Sequence, residues 1–155
     1  MPCRCQPSPQ GDPLEGDGDI ATFSFTDAYL TVNATDLSND ASSLTLELSA
    51  DELEDTAFGD TYKSRIGGLK DSSWSVDFNQ DFAASQVDAT LFPLLGTVVT
   101  VAAKPVNTTT ASTNPQYSGS ALISQYSPFG NKVGELAAVS VQWPGAGTIT
   151  RATSP

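Results

Sequence analysis

Residues 42–49 read SSLTLELS, and this stretch decides the fold class. Large apolar side chains alternate with small polar ones along it, and residues 73–79, SWSVDFN, repeat the pattern. Because successive side chains of a strand point to opposite faces, strict alternation predicts two strands, each with one face in a core and one polar face. The expected core residues of these strands are Leu44, Leu46, Leu48, Trp74, Val76 and Phe78. The other large aromatics, Phe82, Phe92 and Trp143, are expected to point inward as well.

Strand-like stretches continue on both sides of this pair, with clusters of turn-forming residues between them. Residues 20–32 are typical of a short hairpin-like opening with a turn at 27–28, and residues 33–36 begin another turn. Residues 97–103 are apolar on both faces, which indicates a central or helix-covered strand. Six to eight strands are predicted in all, so the expected fold is mainly β, a β-sandwich or partly open barrel with one flanking α-helix. The remaining predicted strands are 20–26, 117–126, 133–143 and 148–151.

The flanking helix is predicted at residues 85–95. Ser85 followed by Asp88 resembles a capping box, with Asp in place of the usual Glu or Gln. Pro93 should kink or end the helix, and Gly96 should close it. The apolar face expected to pack on the sheets consists of Val87, Leu91, Leu94 and Leu95.

Residues 51–64, DELEDTAFGDTYKS, are acidic and fit neither the strand period nor the helix period. They are interpreted as a long projecting loop, since loops above about 12 residues are usually functional or disordered; residues 51–54 could instead begin a helical turn. The acids lack the spacing of a calcium loop, and no two of them stand out as a glycosidase pair. The charged residues of this region, with the base that follows it, are Asp51, Glu52, Glu54, Asp55, Asp60, Lys63 and Arg65.

The composition argues against a DNA-gripping protein and against an enzyme. The net charge is −11, from 18 acidic and 7 basic residues, whereas affinity for DNA phosphate depends on Lys and Arg. A surface that lets DNA slide past would need this sign of charge. The chain has no histidine, the commonest general base and metal ligand, and it has no nucleophile elbow or phosphate loop. We therefore expect no catalytic residues, no metal and no cofactor.

Residues 1–19 contain four prolines and little apolar character, and they are predicted to form a flexible arm before a single domain at 20–155. Cys3 and Cys5 lie in this arm, too close in sequence for an easy mutual disulfide and too few for a zinc site. The sequence shows neither the apolar segment of a signal peptide nor the roughly 20 apolar residues of a membrane helix. We therefore expect a protein made inside the cell and not bound to a membrane.

The outward positions of the two clearest strands carry short side chains that are neutral or acidic, without Lys or Arg. One interpretation is an ordinary solvated face. The other is the lining of a pore. These outward residues are Ser43, Thr45, Glu47, Ser49, Ser73, Ser75, Asp77 and Asn79.

Two parts of the chain carry a resemblance to a known family. Residues 66–82 (IGGLKDSSWSVDFNQDF) and 87–101 (VDATLFPLLGTVVTV) resemble the tail tube (major tail) proteins of long-tailed bacteriophages of the actinobacteriophage type. The earlier LTLELSADELEDTAFGDTYKSRI and the later NPQYSGSALISQYSP and VSVQWPGAGTITRAT are similar to that family as well. The resemblance spans residues 21–153 and rests on a whole-chain pattern.

This resemblance implies a virion protein of the tail, made in the host cytoplasm, that forms hexameric rings which stack into a tube for DNA. Strands of each subunit would join a continuous inner barrel, with Thr45, Glu47, Ser75 and Asp77 facing the lumen. The loop at 51–64 would stack rings, with Lys63 and Arg65 available to acids of a neighbour. The implied partners are other copies of the chain, a tape measure protein, a terminator and transiently DNA, but no membrane.

Two alternatives stay open. One is a different virion component of related fold, such as a tail terminator or connector. The other is a surface β-sandwich that binds carbohydrate or calcium, a class that usually enters the secretory route. Micrographs of the purified protein would separate the first alternative from a tube, and calorimetry with calcium or glycans would test the second.

Overall fold

A computed structural model describes residues 24–154. The predicted arm at 1–19, with its two cysteines, lies outside the described residues, as do the first four residues of the predicted strand at 20–26. Residues 24–26 are described and form an irregular bend instead of a strand. The elements are β1 (Tyr29–Val32), β2 (Thr35–Asp36), β3 (Ala41–Glu54), β4 (Arg65–Asn79), α1 (Val87–Leu94), β5 (Val98–Lys104), β6 (Gln116–Leu122), β7 (Ala138–Pro144) and β8 (Thr150–Ala152).

The strands form two antiparallel sheets that pack face to face. The larger sheet has the order β2-β1-β5-β6-β8, and the smaller one has the order β3-β4-β7. Strand β5 pairs with β1 on one side and with β6 on the other, so the strand predicted at 97–103 is central. The prediction of a β-sandwich with one helix is confirmed.

The core lies between the sheets and is closed at one side by α1. The inward positions predicted on β4 are confirmed, since Trp74, Val76 and Phe78 are buried. Burying a large apolar side chain contributes about 1.5–3 kcal/mol, so this cluster accounts for much of the driving force for folding. Its members are Leu30, Val32, Leu37, Trp74, Val76, Phe78, Val87, Leu91, Val99, Val101, Ala103, Ala121, Ile123, Val139, Val141 and Trp143.

Four expected inward positions are wrong. Leu48 is 57% exposed, because it lies opposite Ser72, where β4 no longer pairs with β7. Phe82, Phe92 and Leu95 are also exposed, since they belong to the irregular or outward surface around α1. Leu44 and Leu46 are half-buried and pack against the core.

Helix α1 begins at Val87, and the predicted capping box does not form. Gln86 is the N-cap residue and makes no side-chain cap hydrogen bond, while Ser85 has a positive φ of 65°. The Asp88 carboxylate instead accepts a hydrogen bond from the Tyr126 hydroxyl. Pro93 lies in the last turn, as predicted.

The two sheets are joined at one corner by backbone contacts. Ala121 of β6 forms an isolated bridge with Gly145, which directly follows β7. The Gly145 N–H donates to the Ser72 carbonyl at 2.7 Å, and the Ala146 N–H donates to the Ser120 carbonyl at 2.8 Å. These bonds fix the base of the β3–β4 hairpin against the larger sheet.

Candidate functional site

The β3–β4 hairpin extends beyond β7, the third strand of its sheet. β7 pairs with β4 only over Ser73–Asn79, so residues 48–72 form a two-stranded ribbon without a third strand. We call these residues the distal hairpin. Two-stranded ribbons are marginally stable on their own in water. An extension of this kind is therefore a candidate contact surface.

The distal hairpin corrects the predicted loop at 51–64. Asp51, Glu52 and Glu54 lie in β3, and Arg65 is the first residue of β4. Neither a long loop nor a helical turn exists at 51–54. A register shift between Ala50 and Glu52 interrupts the alternation there, and β pairing then resumes up to Glu54.

The remaining loop, residues 55–64, is the hairpin tip, and hydrogen bonds order it. The Asp55 N–H donates to the Ser64 carbonyl at 2.9 Å, which closes the loop at its base. At its end the Ala57 N–H donates to the Asp60 carboxylate at 2.9 Å. Gly59 has a φ of 102°, a conformation that favours glycine, and so completes a turn that holds Phe58 outward.

Both cations at the tip have acidic partners within the same hairpin. Lys63 Nζ lies 2.9 Å from Glu54 Oε2, and the Arg65 guanidinium pairs with the Glu52 carboxylate. Both pairs are largely exposed, and such pairs contribute about 0–1 kcal/mol each. Asp60, at the end of the loop, makes no ion pair among residues 24–154, so the outermost charge of the tip is negative.

Apolar side chains are exposed along the distal hairpin. At the tip, Phe58 is fully exposed and Tyr62 is 87% exposed. Monomeric proteins rarely expose so many large apolar groups in one segment, and contiguous patches of this kind mark interaction sites. The segment also lacks proline, which commonly protects exposed strand edges. The exposed large apolar residues of the distal hairpin are Leu48, Leu53, Phe58, Tyr62, Ile66 and Leu69.

The outward face of the smaller sheet is polar across all three strands. The registers place Thr45 opposite Ser75 and Ser75 opposite Gln142, so these residues lie on one face. Asp77 lies between Ser43 and Ser140 in the adjacent row. The predicted residues Thr45, Glu47, Ser75 and Asp77 are therefore brought together on one surface.

Sequence reasoning left two members of this face out of the candidate site, Ser140 and Gln142. Their alternation with Val139, Val141 and Trp143 is visible in the sequence, but the pairing of β7 with β4 is not. The Gln142 side-chain amide donates to the Ser73 hydroxyl at 3.2 Å, which links the strands across the face. We call this surface the polar face; it consists of Ser43, Thr45, Glu47, Ser73, Ser75, Asp77, Ser140 and Gln142.

Small side chains and one sign of charge characterise the polar face. Its two ionisable residues, Glu47 and Asp77, are both acids. Among the strands of residues 24–154, β3 and β7 are the two edges of the sheet that carries the polar face. Unpaired edges are templates for pairing with another chain, so the face can be extended by further copies on either side.

Other kinds of site are not evident in the described part of the chain. No group of three or more His, Cys, Asp or Glu residues among residues 24–154 could hold a metal ion. Within the same residues, no helix has the length and apolar character that a membrane span requires. A cleft of about 430 Å³ lies at the base of the distal hairpin, beside Leu48, Lys70 and Ile149.

Comparisons with known proteins identify the fold. No protein-family profile matches the sequence, and no curated protein matches it. Among solved structures, the chain is similar to one described as part of the virion of a native gene transfer agent (GTA) particle. The TM-score is 0.70 at 12% sequence identity, and the match covers 85% of this chain and 100% of that chain. At this identity the likeness shows that the two chains share a fold.

Proposed function

We propose that this chain is a structural virion protein, a tail tube subunit whose copies form hexameric rings that stack into a conduit for DNA. The observation that carries the proposal is the combination, on one sheet, of the polar face with a hairpin that extends beyond it. The polar face suits a bore, and the hairpin suits contact along the tube axis. Neighbouring copies are required both to enclose a bore with the polar face and to contact the hairpin.

The chemistry of the polar face supports its role as a bore lining. Phosphate binding requires Lys or Arg, and the face offers only Glu47 and Asp77 as charged groups. Screening at physiological salt limits the reach of a charge to roughly 8 Å, so only acids on the lining act on passing DNA. Such a surface repels the DNA backbone weakly and provides no sites at which DNA would stop.

The open edges of the smaller sheet support ring formation. In a closed ring, β3 of one subunit lies beside β7 of the next, and both edges of the smaller sheet are then paired. The polar faces of all subunits then form one continuous inner surface. In this proposal a terminator caps the tube in the virion tail and a tape measure protein occupies its bore before DNA passes.

The distal hairpin supports ring stacking. It projects beyond β7 and exposes apolar side chains that no contact within residues 24–154 covers. The acids and bases expected to pair between rings are paired within the hairpin itself, so apolar contact is the main attraction that the hairpin offers. The shared fold with a chain from a virion is consistent with a role in a particle.

Negative-stain electron microscopy of the purified full-length protein tests the proposal. Long smooth tubes with a regular axial repeat are the expected result, at a protein concentration raised until assembly begins. Isolated single rings would favour the terminator or connector alternative. A protein that stays monomeric at all concentrations and salt conditions, and binds calcium or glycans by calorimetry, would overturn the proposal.

A further inference from the structure

A second exposed apolar patch lies at the opposite end of the smaller sheet. The rings of Phe82 and Phe129 stack there with centroids 5.8 Å apart and an interplanar angle of 26°. Phe129 is 80% exposed, and Phe82 is 56% exposed. The exposed residues Val133 and Leu136 follow in the same loop. We call Phe82, Phe129, Val133 and Leu136 the receiving patch.

The topology sets the distance between this patch and the hairpin tip. β4 starts at the tip, runs to Asn79, and continues directly to Phe82. Leu136 lies just before Ala138, which pairs with Asn79 at the same end of the sheet. At roughly 3.3 Å per residue, the strand separates the two ends by about 45 Å. The tip and the receiving patch of one subunit therefore cannot touch each other.

Hydrogen bonds hold the loop that carries the receiving patch against the end of β4. The Gln80 N–H donates to the Ala137 carbonyl at 2.8 Å, and the Gln80 side-chain amide donates to the Tyr126 hydroxyl at 2.7 Å. The Ala138 N–H donates to the Asn131 side chain at 3.1 Å. A patch held in this way presents its aromatic rings in a defined position, which lowers the ordering cost of binding.

The charges around the two patches do not provide the attraction between them, because acids outnumber bases at both. The charges of residues 55–62 are the acids Asp55 and Asp60, and residues 123–134 contain a single charged residue, Lys132. Two acids, Asp81 and Glu135, flank the receiving patch, so apolar contact has to supply the affinity. Asp81 accepts a hydrogen bond from the Ala83 N–H, and Glu135 accepts one from the Lys132 N–H.

We propose that the receiving patch binds the hairpin tip of a second copy, with Phe58 and Tyr62 packed against Phe82 and Phe129. This inference rests on the proposed stacking and names the surface that receives the hairpin. The contact joins two different surfaces at opposite ends of the subunit, so it repeats along one direction without closing. Aromatic pairs of this kind add stabilisation beyond their buried area.

The contact is apolar in character, and its salt dependence follows from that. Screening weakens attraction between exposed charges, whereas excluded salts such as sulfate strengthen apolar burial. Stacking through Phe58 and Phe129 should therefore persist or increase in sulfate. A contact dominated by charges between copies would weaken instead.

Disulfide cross-linking tests the pairing directly. In a background with Cys3→Ser and Cys5→Ser, the full-length protein carries Thr61→Cys together with Gly130→Cys, and it is oxidised under assembly conditions. Both positions are exposed, a Cβ at Gly130 has open space, and all four aromatic rings are kept. A ladder of multimers on a non-reducing gel is expected, because the two positions meet only between copies. The matched control carries Thr61→Cys with Val98→Cys, an exposed apolar position on β5, and should lose the ladder.

The outcomes separate this inference from the proposed function. Tubes in micrographs without a 61–130 ladder, or with an equal ladder in the control, overturn the receiving patch and leave the tube proposal standing. A specific ladder without tubes supports the contact and contradicts the tube. Absence of both contradicts both, provided that circular dichroism shows each variant to be folded.

Discussion

The Tyr126 hydroxyl donates a hydrogen bond to the Asp88 carboxylate across 2.9 Å and accepts one from the Gln80 side-chain amide at 2.7 Å. This one hydroxyl joins the loop after β6, the first turn of α1 and the end of β4. Burial raises the pKa of Tyr126 to about 12, so the hydroxyl keeps its proton and remains a donor at physiological pH. The helix is fastened to the sheet through this contact.

Tyr126→Phe should therefore lower the free energy of unfolding. The change removes two hydrogen bonds, one of them to a charged group, and a loss of about 1–3 kcal/mol is expected. Urea unfolding followed by circular dichroism measures it. Tyr62→Phe is the control, since the Tyr62 hydroxyl makes no hydrogen bond within residues 24–154, and it should leave stability unchanged. Equal effects of both changes would contradict the role of Tyr126.

Asp40→Asn should raise stability at neutral pH. Burial raises the pKa of Asp40, and the nearby Asp81 carboxylate raises it further. A raised pKa means that the fold favours the protonated form, so Asp40 stabilises the fold at low pH and this contribution is lost as pH rises through the raised pKa. The advantage of the variant should appear near pH 7 and disappear in acid.

Thermal melts of the Asp40→Asn protein and of the parent protein, at neutral pH and in acid, check the prediction. Asp55→Asn at the exposed tip is the matched control, because it removes the same charge from a solvated position. A variant that is less stable than the parent at neutral pH would contradict the assigned cost of the Asp40 charge.

Gly145→Ala should destabilise the corner where the sheets meet. A Cβ at this position would clash with the Ser72 side chain and lie 3.0 Å from the Ser72 carbonyl oxygen, which is held by the Gly145 N–H. Overpacking of this kind costs about 1–3 kcal/mol. Gly147→Ala is the control, because a Cβ there has no neighbour closer than 3.8 Å. Similar melting temperatures for the two variants would contradict the tight corner.

Glu47→Lys combined with Asp77→Lys should leave the fold intact and make assembled tubes retain DNA. Both residues lie on the outward polar face, and lysines there would pair with phosphate. DNA recovered with purified tubes after nuclease treatment is the readout. The control is Asp27→Lys, at a position before β1. It is compared with the single variants Glu47→Lys and Asp77→Lys, because each of the three replaces one acid by one lysine. If neither residue lines the bore, DNA retention will match that of the Asp27 control.

Replacement of residues 56–63 by Asn-Gly should block stacking without unfolding the subunit. Asp55 and Ser64 are already hydrogen-bonded across the hairpin, and a two-residue Asn-Gly turn suits such a pair. Monomers or single rings are expected in size-exclusion chromatography and micrographs. Tubes of normal length from this variant would show that the tip does not stack rings.

Alternation predicted the sandwich because it is a local property. Trp74, Val76 and Phe78 lie where β4 has a partner strand on each side. The alternation of inward and outward side chains is unbroken there, so it correctly predicts that these three residues are buried. The same rule placed Thr45 and Ser75 on one face, whereas Gln142 could not be added without knowing which strand pairs with β4.

The failures arise where long-range structure overrides the local pattern. The bulge between Ala50 and Glu52 hides the continuation of β3, and Leu48 looks like a core residue although the third strand stops before it. At α1, Asp88 has capping chemistry but binds Tyr126, a residue distant in sequence. None of these contacts leaves a signal in a single sequence.

The smaller sheet also constrains the order of folding. β3 and β4 are neighbours in the chain and can pair through local contacts, while β7 arrives much later, after α1, β5 and β6. Contacts between distant parts of a chain form slowly because loop closure costs entropy. During synthesis, the second edge of β4 and the side chains of Trp74, Val76 and Phe78 therefore stay uncovered. A chain with this strand order faces its greatest aggregation hazard before β7 is made, so expression temperature and chaperone supply should govern its yield.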